Sequence, residues 1–84
     1  MRFTAQQISE IVSILDLYPN FDSEEEELPE VLAFCAAYWG DLSYENLLFD
    51  IQKIKTALTE KFPFVWVETD ESIPGWIYIY ITHN

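Results

Sequence analysis

The chain has one cysteine, one histidine, two glycines and four basic residues in 84 positions, and each scarcity closes off a class of function. A single cysteine, Cys35, allows no disulfide within the chain. Its apolar setting, LAFCAAYW, reads as a small hydrophobe in a core, with no basic residue nearby in sequence to stabilise a thiolate. A reducing, cytoplasmic setting is expected. The lone histidine, His83, stands at the second-last position, where chain ends fray, whereas a general base needs a fixed place and an orienting partner. Two glycines cannot build a phosphate-cradling loop, no Cys/His set suits zinc, and the serines have no histidine partner in the chain interior. The segment DSEEEE is rich in oxygen donors, but it lacks the alternating Asp pattern and the turning glycine of a calcium loop. Neither an enzyme nor a protein carrying a metal or cofactor is expected.

Long apolar runs are missing too. The longest, Val31 to Trp39, is far shorter than the ~20 residues that span a bilayer, and no basic-then-apolar leader opens the sequence. The expectation is a soluble chain with no membrane partner. What is abundant is hydrophobic and aromatic material, 50% and 17% of the residues. A chain of this length buries only a little more than ~60% of its unfolded surface, so a dense aromatic core can compensate for small size. Residues 1–84 are read as a single small acidic domain.

Acidity is lopsided. Eleven carboxylates and no basic residue lie between Arg2 and Lys53, while Arg2 together with residues 53–84 holds four basic and four acidic groups and sums to zero. The whole formal charge of −11 therefore falls on the first part. Such a charge keeps a molecule soluble and repels nucleic acid and anionic membranes.

Periodicity predicts three helices and a hairpin. Thr4 and Gln7 have the spacing of a capping box, Phe3 and Ile8 that of a hydrophobic staple, and Ile8, Ile11, Val12, Leu15 and Tyr18 then recur on one face until Pro19. A second helix is placed from Pro29, a good first helical residue, to Trp39, with Gly40 as its cap. Glu24 to Glu27 are then the solvated approach to that helix, favoured by its dipole. A third helix starts at the N-cap Ser43, carries a stripe of Leu47, Ile51, Ile54 and Leu58 joined by Leu48 and Phe62, and stops at Pro63. FVWVET (64–69) and WIYIYIT (76–82), separated by a Pro-Gly turn signal, read as a β-hairpin. No repeat is visible.

The fold class expected is therefore α+β, three helices followed by a C-terminal antiparallel hairpin. That element order is shared with winged-helix DNA-binding domains, but the acidity argues against direct nucleic-acid binding. Two surfaces are candidates for binding a partner. One is acidic: Asp22, Glu24, Glu25, Glu26, Glu27 and Glu30. The other is the hairpin face carrying Phe64, Trp66, Trp76, Tyr78 and Tyr80, with only Glu68 and Thr82 to wet it, opposite a face of Ile77, Ile79 and Ile81. The expected function is a non-enzymatic protein-interaction module. A basic nucleic-acid-binding protein is one partner that it could inhibit by imitating the charge of nucleic acid. The alternative is a structural homodimer or larger homo-oligomer, joined through the aromatic hairpin face.

Overall fold

The computed structural model describes residues 2–24, 30–38 and 43–84. Two helices, α1 (Ala5–Leu15) and α2 (Tyr44–Lys61), accompany four strands, β1 (Asp22–Glu24), β2 (Val31–Ala37), β3 (Val65–Asp70) and β4 (Trp76–His83). The strands form one antiparallel sheet in the order β1-β2-β4-β3. The class is α+β, but the arrangement of three helices followed by a hairpin is overturned: the segment assigned to a second helix is β2, a central strand.

The physical reason lies in the burial of VLAFCAA. Phe34 and Ala36 point to one face of the sheet, Ala33 and Cys35 to the other, and all four are buried. A strand covered on both faces shows no polar alternation, so its apolar run is indistinguishable from a short buried helix. Three alanines, strong helix formers, add to the ambiguity. Tertiary pairing with β1 and β4 decides it. The dipole argument for Glu24 to Glu27 falls with the helix, since Asp22 to Glu24 form the edge strand β1; the starting Pro29 and the capping Trp39–Gly40 lie outside the described residues.

Both real helices begin where local chemistry places them. The Thr4 side chain accepts from the Gln7 backbone N–H at 3.1 Å while the Gln7 side chain accepts from the Thr4 N–H at 2.8 Å, a complete capping box. Ser43 caps α2 through the Asn46 N–H at 3.2 Å. From α1, Ile11 and Leu15 enter the core; from α2, Leu47, Ile51, Ile54 and Leu58 do so, with Phe62 just beyond its end. Leu48, expected in that stripe, is exposed. Across the sheet the same core takes Phe34, Ala36, Val65, Ile77, Ile79 and Ile81. These residues share one face by register, so both helices cover the same side.

Exchanging the halves leaves the strand order unchanged. Each half is a helix followed by a hairpin, α1-β1-β2 and α2-β3-β4, and the two inner strands run antiparallel with Phe34 opposite Ile79. The topology thus repeats about a local two-fold between β2 and β4, although no repeat is legible in the residues. Among the described residues no helix is long and apolar enough to cross a membrane.

Candidate functional site

Because strand side chains alternate, the face of the sheet turned away from the helices is dictated by the odd or even position of each residue. On β4 it carries Trp76, Tyr78 and Tyr80; on β3, Trp66, Glu68 and Asp70; on β2, Ala33, Cys35 and Ala37; on β1, Asp22. Among the described residues no helix lies on this outer face.

The β4 aromatics form a ladder. Trp76 and Tyr78 have ring centroids 6.4 Å apart with planes inclined by 32°, and Tyr78 and Tyr80 are stacked at 6.3 Å and 11°. Each ring is half-buried, and Trp66 at the β3 edge is 58% exposed. Ala33 and Cys35, although on this outer face, are buried, so small side chains lie beneath the level of the larger rings beside them.

Carboxylates stand along the ladder. The register sets Asp70 opposite Tyr78 and Glu68 opposite Tyr80, while Asp22 lies opposite Cys35 on the far side. Glu68 and Asp22 are exposed. Asp70 accepts from the Ser72 N–H at 2.8 Å, and this hydrogen bond holds its carboxyl below the ordinary aspartate pKa, keeping it charged.

The turn that joins β3 to β4 is tied down by tyrosines. Tyr38, just after β2, donates its backbone N–H to the Gly75 carbonyl at 2.9 Å and accepts the Gly75 N–H on its hydroxyl at 3.1 Å. Its ring meets Tyr44 edge-on at 5.1 Å, and the Tyr44 hydroxyl donates to Glu71 Oε1 at 2.6 Å. That bond, then partial burial and the Glu71 charge, raises the Tyr44 pKa, because losing the phenolic proton beside a carboxylate is disfavoured. The end of the aromatic ladder is thus anchored to the start of α2.

Of the aromatic residues expected to share a face, Trp66, Trp76, Tyr78 and Tyr80 do so. Phe64 stands apart. It precedes β3 and packs at the edge of the core, 5.8 Å from Phe62 and 4.5 Å from His83. His83, expected at a fraying end, belongs to β4: its N–H donates to the Glu30 carbonyl, and its ring also meets Phe3 at 5.0 Å. Of the acidic set, Asp22 and Glu24 lie on β1, Glu30 adjoins β2, and Glu25, Glu26 and Glu27 lie outside the described residues. Sequence reading placed Glu68 on the aromatic face and missed Asp70. The alternation of VWVETD carried that signal, since Glu68 and Asp70 share the parity of Trp66.

A second apolar feature lies on α2, where Phe49 is 69% exposed between two open depressions lined by Leu48, Gln52, Lys53 and Thr56, among others. Among the described residues no group of three or more His, Cys, Asp or Glu side chains is placed to hold a metal ion. No family model matches the chain, and neither a curated protein nor a solved structure does.

Proposed function

We propose that this protein is a non-enzymatic interaction module that binds a cationic protein through the outer face of its sheet. The observation that carries the reading is the juxtaposition of an aromatic ladder, Trp76-Tyr78-Tyr80 with exposed Trp66, and the carboxylates Glu68 and Asp70 one strand away. Aromatic side chains supply contact area at low entropic cost, and charge of one sign steers a partner of the other. The net charge of −11 adds a long-range field of the same sense.

The partner class that suits this surface best is a protein with a basic nucleic-acid-binding groove, which the acidic module would occupy in place of nucleic acid. A cytoplasmic setting agrees with a chain whose single cysteine, Cys35, is buried in the sheet. Self-association is less favoured: apposing two such faces brings Glu68 and Asp70 of each copy toward like charge.

The test uses the immobilised chain in a nuclease-treated lysate, followed by titration of a captured protein with nucleic acid as competitor. Capture of basic proteins that nucleic acid displaces, weakening between ~50 and ~300 mM salt, is the expected result. Trp66→Ser combined with Tyr78→Ser should lose the capture while helical content is unchanged. Retention that ignores salt and competitor, or sedimentation of the free chain as a dimer that captures nothing else, overturns the reading.

A further inference from the structure

We infer that the outer sheet face selects arginine over lysine on its cationic partner, with guanidinium groups lying on the Tyr78 and Tyr80 rings and pairing with Asp70 and Glu68. This rests on the cationic-partner reading and narrows it to one side-chain chemistry.

The argument starts from register. Tyr78 is opposite Asp70 and Tyr80 is opposite Glu68, and directly opposite residues have Cβ atoms roughly 4.5–5.5 Å apart. The same pair, a ring and a carboxylate, is therefore presented twice. The two rings are nearly parallel with centroids 6.3 Å apart, close to the ~6.7 Å between alternate residues of an extended chain. A segment with arginines at alternate positions, laid along β4, reaches both pairs at once.

Guanidinium fits such a pair better than ammonium. It is planar and weakly hydrated, so one face stacks on an aromatic ring while its edge donates two parallel hydrogen bonds to a carboxylate. A lysine ammonium can satisfy the charge but presents no plane to the ring. On the other flank the neighbours of these tyrosines are Cys35 and Ala33, which bring no charge to compete. Nucleobases also stack on sheet aromatics, but the platforms that take them are flanked by cations; here the flank is anionic.

Two probe peptides of equal length and charge decide it, one with arginine and one with lysine at alternate positions separated by serine. Both are titrated into the isotopically labelled chain at ~100 mM salt, with affinity read from amide shifts. The arginine peptide is expected to bind about ten-fold more tightly, as ~1.4 kcal/mol of stacking and bidentate pairing implies. Its largest shifts should fall on Tyr78, Tyr80, Glu68 and Asp70. Glu68→Gln, at an exposed position that leaves the fold intact, should remove most of the preference. Tyr78→Leu with Tyr80→Leu should abolish it while weak, salt-sensitive binding of both peptides persists. Equal affinity for the two peptides, no binding of either, or shifts confined to α2 overturns the arginine assignment. If cationic proteins are still captured and displaced by nucleic acid in those cases, the broader reading stands; loss of that capture brings down both.

Discussion

Gly75 shows how much one backbone position carries. Its φ of 86° lies in the left-handed region, where a Cβ is disfavoured, and both of its backbone polar groups are engaged by Tyr38. Gly75→Ala should cost about 1–2 kcal/mol, seen as an earlier urea midpoint with an unchanged slope. An unaltered midpoint would mean that the turn relaxes freely and does not anchor the ladder. Tyr44 makes a second test at the same end of the molecule. Its folded pKa is raised, first by the hydrogen bond to Glu71, so the stability it contributes is fully present below the unfolded value near ~10. It is lost as pH rises through the folded value. Subtracting the denaturation profile of Tyr44→Phe from that of the parent chain should leave a difference that is constant near neutrality and declines above about pH 10. A difference that stays constant to pH ~11 would show that the bond to Glu71 does not form in solution.

Strands separate more cleanly than helices do in what their residues reveal. In β4 the alternation WIYIYIT is complete, and the structure places Ile77, Ile79 and Ile81 fully inside and Trp76, Tyr78 and Tyr80 outside. In β2 no alternation survives, because Ala33 and Cys35 on the outer side are as buried as Phe34 and Ala36 on the inner side. The hairpin, the α1 capping box and the α2 core stripe were therefore legible, since each is written in local spacing. The place of β2 at the centre of the sheet was not, because it depends on β4 reaching β2 from far along the chain. Of the candidate site, the aromatic side of β4 was legible, as was the place of Glu68 on that face; which ring each β3 carboxylate stands opposite, Glu68 by Tyr80 and Asp70 by Tyr78, comes only from register. Adjacent residues of β4 supply a direct test of this two-sidedness. Ile79→Ala should destabilise by about 2–5 kcal/mol, the range for emptying a packed interior site. Tyr80→Ser, removing a half-buried ring stacked on Tyr78, should cost clearly less and should instead weaken partner binding. Equal costs in denaturant titrations would place Tyr80 in a second core and remove the outer face as a docking surface.

At the level of the whole molecule, charge sets stability and recognition against each other. The chain carries a formal −11, and the described residues span 36 × 24 × 18 Å. At ~10 mM salt the Debye length is about 30 Å, so carboxylates across the molecule repel one another; at physiological salt it falls to about 8 Å, and only neighbours do. Among the described residues the one ion pair, Lys61 with Glu10 at 3.9 Å, joins an exposed lysine to a half-buried glutamate at the surface and offsets little of this. Raising salt from ~10 to ~300 mM should therefore stabilise the free protein. For a domain of this size, relief of about 1 kcal/mol raises Tm by roughly 4–8 °C. The same screening weakens attraction to a cationic partner, so Tm of the free chain and affinity for the partner should move in opposite directions along one salt series. Calorimetry and a binding titration on the same samples measure both. Hydrophobic association would strengthen or hold as salt rises, and parallel movement of the two curves would therefore assign recognition to the aromatic rings alone, with the carboxylates serving only to keep the chain apart from its own copies.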